Sequence, residues 1–149
     1  MRSVVLFLCL VQLGSSCSCF FPDYRRKLCD QPTWNAVKVR IETITKDLPA
    51  KRDPEAEKEV EGVVEEVWGY GNTHVGQKMT LSSHSNEAYC GFARLLKPGE
   101  TVILWKEERT TRMNVDGCAL FVFNNKRPAP ERKLVSPEDY LDGLQTVQC

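Results

Sequence analysis

Polar and apolar residues alternate over 37–42 (VKVRIE), with Val37, Val39 and Ile41 on one side of a pleat and Lys38, Arg40 and Glu42 on the other. A period of two predicts a half-buried strand. Residues 60–68 (VEGVVEEVW) are rich in β-branched side chains and predict a second strand, with Gly62 as a bulge or bend. A weaker third strand is expected at 77–81. A short, more buried fourth falls at 101–105 (TVILW), and a fifth at 118–123 (CALFVF). Turn residues separate them at Gly69-Tyr70-Gly71-Asn72, Pro98-Gly99 and Asp116-Gly117. Residues 46–59 (KDLPAKRDPEAEKE) hold two prolines and mostly charge, which predicts a mobile, exposed loop. Near the end, Ser136 can cap a helix that Pro137, Glu138 and Asp139 favour in its first turn. Tyr140, Leu141, Leu144 and Val147 then recur at helical spacing, as core contacts. Five strands and a flanking helix predict a mainly β fold, a small closed or partly open barrel of the OB type.

The first residues follow a different pattern. Met1 and Arg2 are followed by an apolar run at 4–13 (VVLFLCLVQL) and then by the small residues Gly14, Ser15 and Ser16. A basic start, an apolar stretch and small residues before a cut make a secretory signal peptide. The run is shorter than the roughly 20 residues a membrane span needs. A buried N-terminal element and a lipoprotein signal are the competing readings. No amphipathic pattern follows to support the first, and the leucine lies too far from Cys17 for the second. Cleavage after Ser16 makes 1–16 a signal peptide and 17–149 one secreted, extracellular domain whose first residue is Cys17.

That cut changes the cysteine count. The chain has seven cysteines; loss of Cys9 leaves Cys17, Cys19, Cys29, Cys90, Cys118 and Cys149. An even number in a small secreted chain reads as a disulfide frame, and six cysteines allow fifteen pairings. An extended Cys17-Ser18-Cys19 places its two sulfurs on one side but about 6.6 Å apart, which strains a direct bond. Each is expected to reach a distant partner. A zinc site built from Cys17, Cys19, Cys29 and His74 or His84 is the rival reading; it lacks paired Cys-x-x-Cys spacing.

Composition narrows the function classes. Twenty basic and twenty acidic side chains balance, so no electrostatic ground exists for nucleic acid or an anionic membrane as partner. Hydrophobic residues are 42% and charged residues 27% of the chain, as in an ordinary folded domain. No His-Glu-x-x-His, Gly-x-Ser-x-Gly or Gly-rich phosphate loop is present, and His74 and His84 have no nucleophile beside them in sequence. An enzyme is not expected, nor a cofactor.

The spacing that opens the secreted chain, Cys17-Ser18-Cys19 with Cys29 ten residues beyond, resembles the tissue inhibitors of metalloproteinases. Glu87-Ala88-Tyr89-Cys90-Gly91 is similar to the segment around that family's Cys-Gly, and Cys118 and Cys149 fall about where its next cysteines lie. The resemblance covers 17–149 and only the N-terminal domain of a two-domain family. It implies a netrin-like, five-stranded OB-like Greek-key barrel with flanking helices and three disulfides, Cys17 to Cys90, Cys19 to Cys118 and Cys29 to Cys149. It implies a secreted protease inhibitor whose partners are zinc metalloendopeptidases of the matrix metalloprotease kind. Ser18 stands where threonine is common, and the bulky Phe20 and Phe21 replace smaller residues. The family's second domain, and any function it carries, is not expected here.

The chemistry implied is a chelate. A catalytic zinc keeps one position open for water. The free amine and the carbonyl oxygen of Cys17 would close a five-membered ring on that metal, which belongs to the target. An ordinary α-amine has a pKa of about 7.7–8.0, so it yields its proton readily to a competing metal. Only a first residue offers this pair. Bridges from Cys17 and Cys19 would hold the strand rigid, so little freedom is lost on docking. Ser18 would point into the specificity pocket, flanked by Phe20, Phe21 and the Glu87, Ala88, Tyr89 and Cys90 stretch, with the 46–59 loop at the protease rim. The bland readings are a small Ser18 in a tight place and aromatics packed inward. The alternative function is a non-inhibitory netrin-like binding module for a receptor, growth factor, cell-surface or host immune protein.

Overall fold

The computed structural model describes residues 29–51, 53, 55–86, 90–116, 138, 141 and 142. They form a mainly β unit with one mixed sheet of five strands in the order β4-β1-β2-β3-β5. The strands are β1 (Trp34–Lys46), β2 (Glu57–Gly69), β3 (Lys78–His84), β4 (Thr101–Glu107) and β5 (Arg112–Asn114). All neighbours are antiparallel except β3 and β5, which run parallel. Among the described residues the two edge strands, β4 and β5, do not pair, so the expected barrel is present only as this open sheet.

The alternation read over 37–42 is the burial pattern of β1: Val37, Val39 and Ile41 are fully buried, while Arg40 and Glu42 are exposed. These three pack with Val60, Val64, Met79, Leu81, Val102, Leu104, Leu96 and Val115 into the main core on the inner face. The opposite face of β1, β2 and β4 carries a second cluster of Ala36, Trp68, Ile103 and Trp105, closed by Leu141. Trp34 stacks on Trp105 at 6.0 Å between ring centres. Both faces of β4 are therefore covered, as its unbroken apolar run predicts.

Leu141 and Asp142 are helical, as is Glu138, and their contacts fix this segment on the outer face. The Trp68 indole N–H donates to Asp142 Oδ1 at 2.8 Å. Lys38 pairs with Glu138 at 3.5 Å and with Glu66 at 3.1 Å, and the Glu66 carboxylate is the main reason its pKa is raised. The core role expected of Leu141 holds; the expected helix start at Ser136, and Tyr140, Leu144 and Val147, lie outside the described residues.

One expectation changes. β1 and β2 extend into the charged stretch 46–59, with Lys46 opposite Glu59, so the connecting loop shrinks to 47–56. Lys58 is buried along its stem and meets Asp47 at 3.5 Å. Charge alone does not make loop where a strand partner lies alongside and long side chains can cover apolar surface. Among the described residues the fifth strand in chain order is Arg112–Asn114, which carries no expectation from the sequence; the strand expected at 118–123 lies outside them.

Gly62 sits opposite Ile41 where the β1–β2 register shifts by one residue at Glu42. A Cβ there would fall 2.7 Å from Arg40 O and 2.7 Å from Val39 Cγ1, so the bulge read from sequence is a place only glycine fits.

Candidate functional site

Of the expected site, Cys17, Ser18, Cys19, Phe20, Phe21, Glu87, Ala88 and Tyr89 lie outside the described residues, as do Cys118 and Cys149. Cys90 is described, and the structure around it is a platform built from the end of β3.

β3 alternates Met79, Leu81 and Ser83 onto the core face, and all three are buried. The Ser83 hydroxyl donates to Val115 O at 2.5 Å and accepts from Phe92 N at 2.8 Å. Val115 N donates to Ser82 O at 2.6 Å. One buried hydroxyl thus fastens two passing chains to β3. Gly91 lies between these ties, donating its N–H to Asn86 O at 3.0 Å and forming an isolated antiparallel bridge with Asp116.

Gly91 is required by contact. A Cβ on it would lie 2.1 Å from His84 O and 2.7 Å from Asn86 O, both backbone atoms. Cys90, immediately before it, has φ of 58°, in the left-handed region that non-glycine residues seldom occupy. Such conformations persist where the surroundings over-determine them. Cys90 is disulfide-bonded, and so is Cys29.

The same end of the sheet holds the base of the 47–56 loop. Ser85 N donates to Ala56 O at 2.8 Å, and its hydroxyl donates to Asp53 O at 2.8 Å. Glu57 is the register partner of His84. The loop base and the chain entering 87–89 are therefore side by side, two stretches the sequence reading placed in one contact surface.

The two histidines are not brought together: His74 precedes β3 and His84 ends it. Among the described residues no group of three or more His, Cys, Asp or Glu could hold a metal ion, and no helix is long and apolar enough to cross a membrane. Sequence reasoning missed Ser83 and β5. Ser83 was within reach of the alternation rule, two positions beyond Leu81; β5, three residues long and mostly exposed, carries no pattern of its own.

No family model matches the chain, and no curated protein matches it.

Proposed function

We propose that this chain is a secreted inhibitor of zinc metalloendopeptidases, acting through the amine and carbonyl of Cys17 on the target's zinc. The protein fold proposed with it is a netrin-like OB barrel. The sheet order, with β3 and β5 parallel, leaves one further pairing, β4 with β5, to close such a barrel. Three bridges complete it, Cys17 to Cys90, Cys19 to Cys118 and Cys29 to Cys149.

The observation that carries this reading is the Gly91–Asp116 bridge. A Cys-x-Cys segment presents its sulfurs about 6.6 Å apart, so two bridges from it need partners on neighbouring stretches of chain. Cys90 adjoins Gly91, and Cys118 follows Asp116 by two residues, about 7 Å of extended chain at most. A doubly tethered first strand would rest on the Ser83 platform beside Cys90 and the 47–56 loop base. Rigid support of that kind limits the ordering cost of binding. The chelate then fills the open position of the target's zinc, and the strand excludes the water that would attack substrate.

Titration of a panel of zinc metalloendopeptidases with the secreted protein tests the proposal. Inhibition should saturate at one inhibitor per enzyme, with Kd in the nanomolar range or below, as for other protease–inhibitor pairs. A preparation with a free Cys17 amine that inhibits none of them contradicts it and favours a non-inhibitory binding module.

A further inference from the structure

At the other end of β3 from Cys90, Lys106 is fully buried on β4, directly after the buried apolar run 102–105. Its register partner is Asn35, also fully buried, and the next inward pair along the two strands is Val37 with Leu104. The pair therefore ends the inner core with polar atoms. Residues 70–77, the connection from β2 to β3, pass over it. Within that connection Thr73 alone is buried, while Tyr70 and Val75 are exposed. Thr73 Oγ1 accepts from the Lys106 ammonium at 2.8 Å, and Glu108 O accepts from the same ammonium at 2.9 Å. Glu108 Oε2 in turn accepts from Asn72 N at 2.8 Å, and Gly76 N donates to Val64 O at 2.8 Å.

We propose that residues 70–77 are a strap across the end of the core, bolted by Lys106 to Thr73, that opens as a unit while the sheet stays folded. The fastenings are a few hydrogen bonds, and the strap adds no buried apolar side chain to the core. Segments held this way open at lower cost than packed strands. Burial works in the same direction. It holds the Lys106 pKa below the ordinary lysine range, against the opposing pull of the Glu108 and Glu107 carboxylates, so an opened strap returns a costly ammonium to water. The strap and the Cys90 platform lie at opposite ends of β3, so the strap holds or fails independently of the inhibitory reading.

Native-state hydrogen exchange of the secreted protein reads the opening directly. The Asn72 and Gly76 amides should exchange at least about 100-fold faster than those of Val37 and Val39. Thr73→Val, which keeps the shape and removes the acceptor, should speed Asn72 and Gly76 by about tenfold more and leave Val37 and Val39 unchanged. Lys106→Met should do the same if it folds; Thr73→Val decides the matter if it does not. Equal exchange in strap and sheet, or a Thr73→Val effect that is absent or spread evenly over both, overturns the proposal.

Discussion

Adding one alanine before Cys17 should weaken inhibition of a zinc metalloprotease by about a thousandfold and leave the fold unchanged. The extra residue turns the Cys17 amine into an amide nitrogen, which has no lone pair to give a metal. The five-membered chelate is then lost, and the added residue projects into the space the zinc needs. A loss of about 4 kcal/mol in binding is about a thousandfold in Kd. The rest of the molecule has no reason to change, because neither the proposed bridges nor the described sheet involves that amine. Carbamylation of the native amine should act in the same way. The measurements are the inhibition constant against one protease and a thermal melt of each form. An extended protein that inhibits as well as the native one, at equal stability, removes chelation as the mechanism.

The second large effect is expected at Gly91. Its replacement by alanine drives a methyl group into two backbone carbonyls, His84 O and Asn86 O, 2.1 and 2.7 Å from the ideal Cβ position. Neither atom can rotate away as a side chain would. Relief comes only by moving residues 90–92 off β3, at the cost of the Gly91–Asp116 bridge and the Phe92–Ser83 hydrogen bond. Overpacking of this kind costs about 1–3 kcal/mol, which lowers Tm by at least about 3 °C in a domain of this size. Displacing Cys90 should also weaken inhibition by roughly tenfold or more, about 1.4 kcal/mol. Leu141→Ala is the matched control. It should cost about 2–5 kcal/mol of stability, but on the outer face, against Trp68 and Trp105. The inhibition constant of its folded fraction should stay at the native value. Equal stability of Gly91→Ala and the native protein, or equal loss of inhibition in both variants, contradicts this account of the platform.

Much of the sheet is legible in the chain because burial on one face leaves a period of two. Val37, Val39 and Ile41 point inward and Arg40 and Glu42 outward, as the letters alone predict. The TVILW run is unbroken because its second face meets Trp68 and Leu141, partners that the run itself does not reveal. The same period places Ser83 after Leu81 and Lys106 after Leu104 on the core face. A polar or charged letter there reads as the end of a strand, yet both side chains are buried, each on a specific partner. β5 is a strand only because β3 offers it backbone partners, with Arg112 held to Glu59 by an ion pair and Val115 N on Ser82 O. The hairpin stretch at 46–59 misleads for a related reason. Its charged side chains find partners across strands, as Glu59 does in accepting from the Thr45 hydroxyl at 3.0 Å, and cross-strand pairing has no signature within one strand. Of the candidate site, Cys-x-Cys spacing singles out the first residues; the platform under Cys90 is a tertiary construction of Ser83, Gly91 and Asp116.

The central claim is a free first residue held by two bridges, and peptide mapping of the secreted protein without reduction tests it most directly. N-terminal sequencing should begin at Cys17 with an unmodified amine. Digestion should release one cluster joining the Cys17-Ser18-Cys19 peptide to the peptides of Cys90 and Cys118, and a separate pair joining Cys29 to Cys149. A chain that starts elsewhere, a blocked first nitrogen, or a direct Cys90–Cys118 bond would contradict it.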